Sequence, residues 1–219
     1  MATQHDGTEG KAAGAGAADA GGADGKKSPP ARRARWSAQQ LATMALFTAL
    51  CAGFAFIPLP IFPPAALFGI TYDPANVPAM LGGIGFGPGA GCLIGVLGAL
   101  LHGLLASDYV GTLMNVVVVI AFVLPCALIC RGSKTTPRLI IGLIVASIIS
   151  VAAVIPMNLL IWPQFYGIPL EETLTYVVPL MLPFNILKAL LNSVLSFLLY
   201  KSLRYFLEPS GEASGHALS

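Results

Sequence analysis

From Ser37 onward the chain alternates long apolar stretches with short breaks rich in Pro, Gly or charge. A helix rising ~1.5 Å per residue needs about 20 apolar residues to cross ~30 Å of hydrocarbon, so the pattern predicts membrane-spanning helices. The first span runs from about Ser37 to Ile57. The Pro58-Leu59-Pro60-Ile61-Phe62-Pro63-Pro64 stretch after it reads as an outer loop that cannot be helical. Asp73-Pro74 reads as an N-cap followed by proline at the first helical position, opening a short second helix that ends at the inner turn Gly85-Phe86-Gly87-Pro88-Gly89. Further spans are expected at about Ala90–Ala106, Val110–Cys130, Pro137–Trp162 and Tyr176–Phe206. The fold class expected is all-α integral membrane, a bundle of six transmembrane helices. No internal repeat is visible, so the inverted-repeat design of many secondary transporters finds no support.

Residues 1–36 are rich in Ala, Gly, Lys and Asp and carry no apolar period, the signature of a disordered tail. The expected organisation is a cytoplasmic tail at 1–36, a membrane domain at 37–207 and a second cytoplasmic tail at 208–219. Gly25-Lys26-Lys27-Ser28 is not a phosphate loop: Ala20 stands where the first glycine belongs, and a second Lys replaces the Ser/Thr after the first. Arg32-Arg33 precedes a long segment of a multi-span chain and reads as a cytoplasmic anchor rather than a twin-arginine export signal.

Charge sharpens the picture. Of 219 residues 56% are hydrophobic and only 10% charged, against about a quarter charged in soluble domains. Apart from Lys188, the cations lie in the N-terminal tail, at Arg131, Lys134 and Arg138, and at Lys201 and Arg204, while Asp73, Asp108, Glu171 and Glu172 fall in the other breaks. That alternation is the positive-inside pattern; it places both termini in the cytoplasm of a cell-membrane protein and demands an even number of spans. The net charge of +2 arises from tails and inner loops and implies no nucleic acid partner. Cys51, Cys92, Cys126 and Cys130 sit in apolar helices and read as packing residues, with no metal site.

Lys188 is the most informative residue. A lysine deep in a span costs about 2.5–3.5 kcal/mol on insertion scales and normally faces an interior or a cavity. It lies ~20 Å of helix from the inner anchor Lys201, hence in the outer half of the membrane. Asn185 and Asn192 share its helical face. Asn158 of the fifth span, ~30 Å from Arg138, reaches a similar depth. These side chains either contact a ligand or knit helices together, as Asn does in membranes. Ala42, Ala45, Ala49 and Gly53 form one small-residue face and Gly87, Gly91, Gly95 and Gly98 another. The glycine face reads as internal packing; for the alanine face composition does not choose between inner packing and a partner helix. His102 and Asn115 read as packing or hydrogen-bonding residues and Asp73 as a helix cap. With no nucleophile–base pair, paired carboxylates or metal cluster, an enzyme is not expected.

The run Asp73-Pro-Ala-Asn-Val-Pro-Ala-Met-Leu-Gly-Gly-Ile-Gly-Phe-Gly-Pro-Gly-Ala-Gly resembles the second-helix signature of the S components of energy-coupling-factor (ECF) transporters. Pro183-Phe-Asn-Ile-Leu-Lys188 with Leu190-Leu-Asn-Ser-Val-Leu is similar to the sixth helix of the riboflavin-specific members. Pro58-Leu-Pro-Ile-Phe-Pro-Pro and Ala121-Phe-Val-Leu-Pro-Cys-Ala-Leu-Ile also resemble that subgroup. The likeness covers roughly residues 40–206. Gly98-Ala99 and Gly111-Thr112-Leu113 depart from it, standing where many members have Lys-Asn and Gly-Glu-Leu.

The resemblance implies a six-helix S component that binds riboflavin from outside and docks on a transmembrane T component with two ABC-type ATPases. Riboflavin is then cargo, and no cofactor is implied. Asn158, Asn185 and Lys188 match the positions that contact the isoalloxazine ring in the family, and Ala45 and Ala49 match the small residues that meet the T component. An Asn amide suits the alternating acceptors and N–H donor of the flavin pyrimidine edge, and a lysine donates to a flavin carbonyl. Thr71, Asp73 and Asn76 are candidates for the ribityl hydroxyls. Two other readings stay open: a carboxylate vitamin such as pantothenate paired directly with Lys188, or a membrane scaffold whose Asn and Lys only join helices.

Overall fold

Each apolar stretch becomes helix in the computed structural model, which describes residues 36–66 and 71–207. The tails expected at 1–36 and 208–219 lie, Trp36 apart, outside the described residues. Helix α1 (Ala38–Ala55) starts from a reciprocal cap: Ser37 Oγ accepts the Gln40 N–H and the Gln40 side chain accepts the Ser37 N–H. It is followed by α2 (Pro63–Ala66), a correction to the expected irregular loop. Prolines fit a first helical turn, where no N–H partner is needed. Leu59 and Tyr72 then exchange backbone hydrogen bonds of 2.8 and 2.9 Å, closing the base of this loop.

Helix α3 (Asn76–Phe86) has 11 residues, about 16 Å, too short to cross a bilayer alone. Its run Val77–Ile84 is buried throughout, so it forms the centre of the bundle. Helices α4 (Pro88–Ala106) and α5 (Tyr109–Ile129) pack on it. The close approach rests on missing side chains: a Cβ on Gly91 would collide with the Gly83 backbone, and one on Gly95 or Gly98 with Val119 or Cys51. Gly87 differs from the rest of its expected stripe. It sits at φ 102° in the α3–α4 turn, with open space where a Cβ would go, so its role is conformational.

Helix α6 (Thr136–Phe165) is followed by α7 (Leu170–Tyr176), a π-helical stretch (Val177–Met181) and α8 (Leu182–Leu207). This replaces the single helix expected from Tyr176. Pro179 and Pro183 each lack an N–H, and the backbone adapts with the π stretch. Among the described residues five helical runs are long and apolar enough to cross a membrane, and α3 completes the six-helix bundle. Phe122, Met80, Ile94 and Val123 fill its centre, while Leu104, Ile148 and Leu198 project outward, as a lipid-facing surface requires.

Candidate functional site

Lys188 on α8 does not stand alone. Its Nζ donates to Asp73 Oδ2 at 2.7 Å across 115 residues of sequence. The side chains are 14% and 20% exposed. Asp73 is thus not the cap expected from sequence. Helix α3 begins three residues later behind Ala75, and Asp73 Oδ1 takes the Ala75 N–H at 3.2 Å. The packing of α3 against α8 brings the Lys188 ammonium to the carboxylate, a charged partner that a helix N-terminus cannot match. The adjacent Tyr72, almost fully buried, donates its phenol to Asn192 Oδ1 at 3.0 Å. Burial and the Asp73 carboxylate push the Tyr72 phenol up to about 12, so it stays a donor at any physiological pH. Two neighbouring residues of the segment between α1 and α3 are therefore fastened to two residues one turn apart on α8.

The asparagines bond first to their own helices. Asn158 Nδ2 donates to the Val154 carbonyl at 3.0 Å and Asn185 Nδ2 to the Met181 carbonyl at 2.8 Å. Each is an i−4 bond that fixes the rotamer and leaves the amide oxygen and the second hydrogen for another partner. Asn158 and Asn185 line one small gap together with Met181 and Val154. Asn185 also lines an adjoining cavity of about 20 Å³ with Lys188, Asn192, Asn76 and Ser150. Asn76 in turn borders another cavity of about 20 Å³, shared with Asp73, His102 and Asn115. The chain of cavities thus brings together Asn158, Asn185, Lys188, Asn76 and Asp73. Thr71 is half-buried, one residue before Tyr72, and lines none of the three.

Around this polar line, Tyr72, Leu180 and Phe184 form an apolar cluster with Ile61 and Phe62 of the segment between α1 and α3. His102 packs its ring against Phe56 with centroids 4.6 Å apart. Asn192 and Tyr72 are site neighbours to which the sequence gives little or no weight. The available signal was their type and depth, a phenol next to the only acid of the loop, but nothing in the sequence pairs them with each other across α8. The small residues Ala42, Ala45, Ala49 and Gly53 all lie on the exposed side of α1, whereas Met44, Phe47 and Cys51 turn inward.

A family model described as ECF transporter, substrate-specific component, matches residues 39–200. The chain belongs to that family. The riboflavin transporter RibU of Staphylococcus aureus (strain TCH60) is 30% identical over 179 residues, which cover 78% of this chain and 93% of the relative. A solved structure described as the S component of a bacterial ECF transporter superposes with a TM-score of 0.61 at 32% identity, over 77% of this chain and 97% of that one. The chain is accordingly an S component, a multi-pass protein of the bacterial plasma membrane that serves transport. The scaffold reading is thereby set aside.

Proposed function

We propose that this S component binds riboflavin in the outer half of the membrane and delivers it through a T component and two ABC-type ATPases. The observation that carries the reading is the convergence of Lys188, Asn185 and Asn158 on connected cavities, in a chain 30% identical to a riboflavin transporter. Lys188 has three N–H donors. One goes to Asp73, which also neutralises the ammonium, and two are left for a flavin carbonyl. The asparagine amides supply the mixed donors and acceptors that a pyrimidine edge needs. The Ile61–Phe62–Phe184 cluster suits the dimethylbenzene end, and Thr71, Asp73 and Asn76 suit the ribityl chain. A neutralised lysine favours an uncharged ligand. A carboxylate such as pantothenate would have to displace Asp73 or sit against it, so riboflavin is the better supported of the two vitamins.

Pockets for ligands of this size run about 300–1,000 Å³, against about 20 Å³ for each of the cavities that Lys188 and Asp73 line. Binding therefore requires these cavities to widen as the ligand enters. The exposed Ala45–Ala49 face of α1 supports docking on the T component, because close helix approach needs small side chains. The charge alternation supports cytoplasmic termini, with tails at 1–36 and 208–219 flanking the domain at 37–207. The test is the absorbance spectrum of the purified chain, followed by titration with riboflavin under fluorescence detection. Co-purified flavin or saturable quenching supports the proposal. A colourless protein that never quenches added riboflavin overturns it.

A further inference from the structure

The cavity beside Asp73 gathers polar side chains from four parts of the chain. Asp73 itself comes from the segment between α1 and α3, Asn76 from α3, His102 from α4 and Asn115 from α5. Every other residue in its walls is Gly, Ala or Cys, with Gly95, Gly98 and Ala99 on the α4 side. Gly98 and Ala99 are also where this chain departs from the Lys-Asn of many family members. Such short side chains leave the space between the polar groups open. At about 20 Å³ it has room for one water-sized group, such as a single hydroxyl.

Three of the four polar groups are uncommitted. Among the described residues, the side chains of Asn76, His102 and Asn115 have no hydrogen-bond partner. All three are part-buried, where an unmade hydrogen bond is costly. The imidazole is held by its ring face instead, packed on Phe56 with centroids 4.6 Å apart, and both of its nitrogens stay available. An amide and a neutral imidazole each offer a donor and an acceptor, and so does a hydroxyl. A polyol is therefore the ligand chemistry these walls match. An anion is not: no Lys or Arg lines the cavity among the described residues, and the Asp73 carboxylate already stands in it. Asn76 lines both this cavity and the one beside Lys188. A ligand whose ring is held at Asn185 and Lys188 can thus extend past Asn76 into it.

We propose that this cavity is a polyol subsite in which His102 and Asn115 bind the far hydroxyls of the ribityl chain and set the preference for flavins that carry one. The proposal rests on the riboflavin reading above. It adds two residues, on α4 and α5, that holding the ring does not require. One neutral side-chain hydrogen bond is worth about two- to ten-fold in affinity, so the two together separate a flavin with the chain from one without it by about ten-fold or more.

The experiment titrates the full chain in detergent with riboflavin and with lumiflavin, which keeps the isoalloxazine ring and carries a methyl group in place of the ribityl chain. Wild type should bind riboflavin the more tightly. His102→Phe, which keeps the packing on Phe56 but has no ring nitrogens, and Asn115→Leu should each weaken riboflavin about two- to ten-fold and leave lumiflavin unchanged. Ala99→Leu, which fills the cavity from α4, should do the same. Lumiflavin affinity serves in each variant as the measure of an intact fold and ring site. Riboflavin and lumiflavin weakened in parallel would make His102 and Asn115 packing residues and overturn the proposal. Riboflavin affinity unchanged in all three variants would overturn it as well. Equal affinity of wild type for the two flavins overturns this proposal alone, whereas binding of neither overturns the riboflavin reading on which it rests.

Discussion

Replacing Asp73 and Lys188 singly and together separates holding the fold from holding the ligand. Lys188→Met strands a carboxylate that is 20% exposed, and Asp73→Asn strands an ammonium that is 14% exposed. Removing one member of a fully buried pair costs about 3–5 kcal/mol; partial exposure lowers this to about 1–3 kcal/mol here. Each single variant should therefore melt several degrees below wild type. The double variant Asp73→Asn/Lys188→Met should regain most of that loss, because a neutral pair leaves no stranded charge. Affinity should behave differently. If an ammonium N–H reaches a flavin carbonyl, its loss costs about 1.5–3 kcal/mol, a factor of about 10 to 150 in Kd, and removing Asp73 as well does not restore it. Thermal melts read the first quantity and fluorescence-quenching titrations the second. A double variant that recovers both stability and wild-type riboflavin affinity would refute the reasoning, leaving Lys188 with no role beyond Asp73.

Asn158→Leu and Asn185→Leu should each weaken riboflavin by about ten-fold in the same titration, with folded protein recovered, since each side-chain bond only supplements the helix backbone. Ala49→Trp should abolish uptake by the assembled transporter while leaving binding by the isolated chain intact, because Ala49 lies on the exposed side of α1; equal loss of both would make the face internal. Gly91→Leu should give little monodisperse protein in size-exclusion chromatography. A side chain there meets the backbone of α3, which cannot yield as a flexible side chain would. The purified chain should hydrolyse no ATP, as its sequence contains no phosphate loop; activity persisting after removal of partners would contradict this.

The apolar spans were legible because each follows from a local rule. Span length, the cationic breaks and a rise of ~1.5 Å per residue bring Asn158, Asn185 and Lys188 to a similar level without any tertiary information. The Lys188–Asp73 bond was not legible. Proline after aspartate signals a helix start, and the local rule assigns the carboxylate to that helix. Only the packing of α3 against α8 offers it a cation instead. The π stretch before α8 escapes the sequence for a related reason: prolines at 179 and 183 announce a disturbance, but its form depends on what surrounds it. Three- and four-residue spacing reports close approach at Gly91, Gly95 and Gly98, whereas at Gly87 the same spacing belongs to a turn.

The alanine face and the Asn158–Lys188 site belong to different parts of the bundle. Helix α1 packs on α3 and α4, whereas α6 packs on α5 and α8. The two are nevertheless linked through α3, which packs on both α1 and α8. The cavity beside Lys188 is lined by residues of α3, α5, α6 and α8, and the one beside Asp73 by residues of α1, α3, α4 and α5. A partner helix can approach α1 closely on its small-residue side, because Ala42, Ala45, Ala49 and Gly53 are exposed while Cys51, which lines the Asp73 cavity, turns inward. Ala49→Trp should accordingly block assembly with the T component and leave riboflavin affinity unaltered; an affinity change in that variant, read by fluorescence titration of the isolated chain, would mean that the α1 face is coupled to the cavities through α3.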